Sequence, residues 1–205
     1  MAEILVEACV ANLVRKGVTA GAGVAVLDLS QLRRGPGLTV VEVMALGADL
    51  MFQWWPDTTT AALTTTNAAV DLAASATIVE LPVADVEKLK PGFPIEVDET
   101  GGAYFRGLVV VPNLPAAHRV KNSDIQSGAG TVFVAAPVGT IAITSGRSVY
   151  WQRPVFDSGG ALYIGREVKD TPAAAKRYAV PKWANALAFI RTAGTNVTCL
   201  VTQLY

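Results

Sequence analysis

Apolar and polar residues alternate along this chain in short runs rich in Val, Ile, Thr and aromatics, broken by Gly or Pro about every ten residues. That period is the pattern of a sandwich or barrel rather than of helices. Residues 74–111 show it most clearly. Thr77, Val79 and Leu81 alternate with Ile78 and Glu80 until Pro82 ends the run. In the turn segment ADVEKLKPG, Val86 and Leu89 are three apart and face one core. Ile95 and Val97 then alternate with Glu96 and Asp98, Glu-Thr-Gly-Gly supplies a positive-φ hairpin connection, and Tyr104 to Val111 returns as a strand.

The same reading predicts strands over Val24 to Leu29, Leu38 to Leu46, Thr131 to Ala136, Thr140 to Thr144, Ser148 to Trp151 and Ala161 to Val168. Asp170-Thr171-Pro172 is suited to capping a helical turn over PAAAKRY, and a final hairpin follows it. At the N-terminus, Ile4, Val6, Ala8 and Val10 alternate as a strand does, while Leu5, Cys9 and Leu13 share a helical face. An extended arm over 1–23 is the preferred reading, with Gly17 to Gly23 a flexible stretch. A first β half then spans 24–112 and contains the 74–111 module. A polar, Pro-containing connector, 113–126, holds the single histidine, His118, and a second β half spans 127–205. The expected fold is mainly β, a sandwich, jelly roll or barrel with an extended N-terminal arm and little helix.

Two adjacent tryptophans, Trp54 and Trp55, point to opposite faces of an extended chain. Either one enters the core while the other meets solvent or a partner, or both are tucked beneath the Thr-rich segment TTTAALTTT. That segment is neutral and β-prone, a loop or an edge strand.

Composition sharpens the picture. Hydrophobic residues make up 51% of the 205 and charged residues 17%, against about 25% in an ordinary soluble domain. So little charge suggests that neighbouring subunits cover much of the surface, a large isolated core being the alternative. The 17 basic and 17 acidic residues cancel, which argues against a nucleic-acid footprint. Arg33-Arg34 and Lys176-Arg177 read as solvated turns. Glu3 and Glu7 stand where a signal peptide needs base, and no run reaches the roughly 18 apolar residues of a membrane helix, so cytoplasmic synthesis is expected. Cys9 and Cys199 are expected to be buried free thiols, a terminus-to-terminus disulfide being the alternative.

The residues of known chemistries are scattered. A hydrolytic triad needs a positioned base, and His118 stands alone. Cys9, His118 and Cys199 lack zinc-site spacing, and VDETGG lacks the ligand density of a calcium loop. Gly21-Ala22-Gly23 has Val26 where a dinucleotide fingerprint needs its third glycine. Glu96 and Asp98 share a strand face as a glycosidase pair does, but alternation alone produces that, and a solvated face is the expectation. No enzyme, cofactor or metal is expected.

The module T-I-V-E-L, a linker ending L-K-P-G, I-E-V-D, Gly-Gly and a return strand resembles small β-modules of tailed-bacteriophage virion proteins. The closing VPKWANALAFIRTAGTNVTCLVTQLY resembles the end of jelly-roll domains in viral and adhesive proteins. These resemblances imply a capsid decoration or cement protein, located in the virion. Its partners would be the major capsid protein or other virion proteins, and it would form a homo-oligomer, without direct contact to nucleic acid or membrane. Trp54, Trp55, Ile4 and Val6 are the expected contact residues, because aromatic anchors and extended arms bury the most area. The alternative is a carbohydrate-binding module that stacks sugars on Trp54, Tyr104, Trp151 and Trp183.

Overall fold

The computed structural model describes residues 15–21, 23–34, 36–73, 76, 78–98, 105–110, 129–135, 137, 139–156, 163–170, 176–194 and 196–204. Over these residues the protein is all β in antiparallel sheets, with no helix. The chain forms two compact units, one of residues 1–58 with 153–205 and the other of 59–152. The division expected at 113–126 is therefore replaced by an insertion whose limits fall after Thr58 and after Gln152. The connector and residues 1–14 of the arm predicted over 1–23 lie outside the described residues.

The first unit opens with β1 (Arg15–Ala20), β2 (Ala25–Asp28), β3 (Val40–Leu46) and β4 (Leu50–Trp55). The inserted unit holds β5 (Thr64–Thr65), β6 (Val70–Leu72), β7 (Ile78–Val83), β8 (Pro94–Val97), β9 (Phe105–Leu108), β10 (Gly130–Ala135), β11 (Ile141–Ile143) and β12 (Ser148–Trp151). The chain then returns through β13 (Val155–Phe156), β14 (Tyr163–Ile164), β15 (Arg166–Val168), β16 (Lys176–Ala179), β17 (Ala186–Arg191) and β18 (Val197–Leu204).

Pairing in the first unit is nested. β1 pairs with β18, β2 with β17, β3 with β16 and β4 with β15, all antiparallel, so the early strands meet the late ones in reverse order. Two further ladders, β18 with β3 and β17 with β4, roll this long ribbon on itself. The result is sheet I, ordered β1-β18-β3-β16, and sheet II, ordered β15-β4-β17-β2. Eight strands wound in this way are a jelly roll. The tip of the ribbon lies between β4 and β15, and the inserted unit leaves and rejoins the chain there. A hairpin tip brings its two chain ends close together, which is where an insertion is tolerated.

Alternation supplies the core. Val41, Val43 and Ala45 of β3 and Val197, Cys199 and Val201 of β18 meet Leu50, Phe52 and Trp54 of β4 and Leu187 and Phe189 of β17 in one buried cluster. Phe52 packs edge-on against Trp54 and Tyr178, with centroids 5.1 and 5.0 Å away. Cys199 is a buried free thiol, and burial pushes its pKa up to about 12, while Cys9 lies outside the described residues. Gly165 breaks β14 from β15 at φ +118°, and a Cβ there would lie 2.5 Å from the Phe52 carbonyl oxygen. Only glycine fits that approach.

Three local expectations are corrected. The stretch containing Gly17 is not flexible: β1 forms a six-residue ladder with β18. Lys176 to Ala179 is strand rather than helical turn, because pairing with β3 overrides local propensity. β17 and β18 are not a hairpin, since they belong to opposite sheets.

In the inserted unit, β5, β12, β8 and β9 form one sheet and β7 pairs with β10. Bridges Val109 to Val134 and Thr66 to Val83 join the two pieces at both edges, with Val110 N–H donating to the Phe133 carbonyl and Ala84 N–H to the Thr65 carbonyl. Six antiparallel strands therefore close into a ring. Leu81, Val134, Ile95, Val97, Phe105, Val149 and Trp151 are buried on the ring's register-matched face. β6 pairs with β11 beside it. Val86 and Leu89 are both buried, as their spacing predicts. Pro82, by contrast, lies within β7 rather than ending it, opposite Thr131.

Candidate interaction face

The two sheets of the jelly roll each have an outer side, and the register assigns residues to it. On sheet I the outward positions of β3 are Val40, Glu42, Met44 and Leu46, and those of β18 are Thr198, Leu200, Thr202 and Leu204. They form rows across the sheet. Thr19, Thr198 and Leu46 make one row, with the Thr19 and Thr198 hydroxyls 2.8 Å apart. Gly17, Leu200 and Met44 make the next, and the Leu200 side chain lies over Gly17, where an added Cβ would come within 2.6 Å of it. Then come Thr202, Glu42 and Arg177, and last Leu204, Val40 and Ala179. Leu46 is 39% exposed, and the other β3 and β18 members are partly exposed. An antiparallel sheet with one solvated side carries polar residues on that side. Here five of the eight central outward positions are Val, Leu or Met.

Charge on this face is confined to its polar row. The Glu42 Oε2 lies 3.7 Å from Arg177 Nε, and the Arg177 side chain is 72% exposed.

Sheet II differs. The outward positions Met51 and Trp55 of β4 are each 2% exposed, and Ala186 and Ala188 of β17 are fully buried, although none belongs to the inter-sheet cluster. The tryptophan pair is thus resolved by register. Trp54 is in the core and Trp55 faces the other way, as alternation predicts, yet both are buried. Neither offers the exposed anchor expected of it, because both are buried within the chain, while Gln53, Ile190 and Val26 on the same side as Trp55 stay partly exposed. Ile4 and Val6, the other expected contact residues, lie outside the described residues.

The sandwich ends are held by polar clamps. At one end the Asp49 carboxylate accepts the Asp170 N–H at 2.7 Å and the Lys169 ammonium at 2.9 Å, while its backbone carbonyl accepts the Thr192 hydroxyl. Lys169 also bonds Glu167 at 2.6 Å. The Lys169 bond, then the Asp170 N–H, hold the Asp49 carboxyl below its ordinary pKa, and the two carboxylates push Lys169 up. Elsewhere Gln203 accepts the Arg33 N–H at 3.0 Å and donates to the Arg33 carbonyl at 2.8 Å. Arg34 donates to the Pro181 and Ala184 carbonyls. Arg33-Arg34 is therefore a loop anchor rather than a solvated turn.

In the inserted unit Glu96 departs from expectation. Alternation places it outward, opposite Arg106 and Tyr150, but it is fully buried, with Arg106 Nε 3.4 Å from its Oε2. A carboxylate in that setting is an ion-pair partner. Of the aromatics proposed for sugar stacking, Trp54 and Trp151 are buried, Trp183 is partly buried and Tyr104 lies outside the described residues. Trp151 is committed to Phe93, edge-on at 5.5 Å. His118 also lies outside them.

The tryptophans do not mark the face of sheet I. A signal was present in VVEVMAL and VTCLVTQL, where both alternation classes are rich in apolar residues, as in strands covered on two sides. Comparison with family models, with curated proteins and with solved structures finds no match to this chain.

Proposed function

We propose that this chain is a non-enzymatic structural protein of a tailed-bacteriophage virion, made in the host cytoplasm, that coats, cements or completes the capsid through subunit contacts. The observation that carries the reading is the open apolar side of sheet I on a jelly roll. Jelly rolls form capsid domains and also lectins, so topology alone does not choose between them. A broad, flat, weakly charged sheet face suits contact with another protein surface, whereas a sugar site is a concave pocket with a few convergent polar groups.

A carbohydrate-binding module is the second reading. Among the described residues it rests on Trp183, since Trp54 and Trp151 are occupied in cores. The test is co-sedimentation of the purified chain with phage capsid shells that lack it. Saturable pelleting with shells is expected. A chain that stays in the supernatant while binding a glycan array would overturn the structural reading in favour of the second.

A further inference from the structure

We propose that the loop carrying Arg33, Arg34 and Leu38 is a docking element for an acidic segment of a partner protein. The proposal rests on the structural-protein reading for the kind of partner and names the chemistry that partner presents. Leu38 is 74% exposed, more than the other large exposed apolar side chains, Leu46 and Leu108. A lone exposed leucine means little by itself. Here the loop that carries it is fixed at both ends. At one end Leu32 enters the core, and the buried Gln203 amide uses both of its groups on Arg33, accepting the N–H and donating to the carbonyl. At the other the Thr39 carbonyl accepts the Val180 N–H at 2.9 Å. A loop held in this way is ordered before a partner arrives, so binding gives up little conformational freedom.

The same bonds bring cations beside the leucine. Arg34 donates to the Pro181 and Ala184 carbonyls, which flank Lys182 in a turn closed by the Ala184 N–H on the Pro181 carbonyl. Thr39, next to Leu38, is bonded to Val180 at the start of that turn. Arg33, Arg34, Lys182 and Leu38 are all exposed at this end of the sandwich. Among the described residues no ion pair engages any of the three cations. Asp28, the acid nearest to them in sequence, is turned onto the N–H and hydroxyl of Ser30 at 2.8 and 3.0 Å. The bonds of Arg34 go to neutral carbonyls, which leaves the rest of its N–H fork for a carboxylate. Cations around one leucine complement an acidic, partly apolar peptide. A nucleic acid needs a longer basic track, and a lipid surface a larger apolar one.

The test is titration of the full chain into a labelled synthetic peptide, Glu-Glu-Leu-Leu-Glu-Glu, read by fluorescence anisotropy at low ionic strength, where such contacts are least screened. Wild type is compared with Arg33→Glu, Lys182→Glu and Leu38→Ser, and with Lys88→Glu on an exposed turn of the inserted unit, with circular dichroism as the folding control. Wild type is expected to bind with a Kd of about 100 µM, each loop variant to bind about tenfold more weakly, and Lys88→Glu to bind as wild type does. The loop variants change exposed side chains, and any one that folds decides the matter. A wild type indifferent to the peptide, loop variants that bind it unchanged, or equal weakening by Lys88→Glu would overturn the inference. So would inorganic phosphate that competes as tightly as the peptide, or pelleting with phosphatidylglycerol vesicles in place of peptide binding. Capsid shells separate this inference from the virion reading. A chain that binds the peptide through this loop and ignores shells keeps the inference and removes that reading, and one that pellets with shells but ignores the peptide does the reverse.

Discussion

The two outer sides of the jelly roll are built from similar sequence and meet different fates. Met51, Trp55 and Ala188 on sheet II are buried by the chain itself, while Met44, Leu46 and Leu200 on sheet I remain partly open. β3 and β4 are consecutive and similarly apolar. A composition low in charge therefore has two destinations in one protein, outward positions buried within the chain and outward positions left partly open. The lesson is that hydrophobicity of an outward position does not say whether it is an interface. The covering does.

The largest test of this contrast is Trp55→Ala. Although it faces outward from its sheet, its loss should cost about 3–5 kcal/mol in urea unfolding, as for a core aromatic. A cost within the surface range of about 0.5 kcal/mol would mean that sheet II is not covered. Next, Ala188→Leu should overfill the covered side and cost about 1–3 kcal/mol by the same measurement. On the open side, Met44→Ala should cost less than about 1 kcal/mol by the same measurement, because the removed atoms were already partly in water. Equal costs for the two sides would erase the distinction.

The smallest effect concerns the Asp49 clamp at the sandwich end. Its carboxyl has a lowered pKa, so its contribution to stability is present above the ordinary carboxylate value of about 4 and is lost as pH falls through the depressed one. Asp49→Asn should therefore cost less than about 1 kcal/mol at pH 7, and the gap between variant and wild type should close in acid thermal melts. A gap that is constant with pH would contradict that linkage.

Much of the strand pattern was legible in the residues. Ser148 to Trp151 matches β12 end to end, and the hairpin of β8 and β9 follows from Ile95, Val97 and the glycines between. What local pattern does not carry is the identity of a distant partner. β17 and β18 are separated by a few turn residues and read as a hairpin, yet each pairs with strands from the start of the chain. The insertion was invisible for the same reason. No change of composition marks Thr58 or Gln152, because both units are β and both are apolar. Glu96 obeys alternation, but alternation does not reveal what lies above a strand. The candidate face became readable only when register placed Leu200 beside Met44, more than 150 residues apart in sequence.

The most direct measurement compares two methionines on opposite sides of the sandwich. Oxidation of Met44 and Met51 by dilute peroxide, followed by mass spectrometry at low and high protein concentration, reads the covering of each side separately. The account predicts that Met51 resists at every concentration while Met44 is oxidised in dilute protein. Oxidation of the two at the same rate in dilute protein would contradict it.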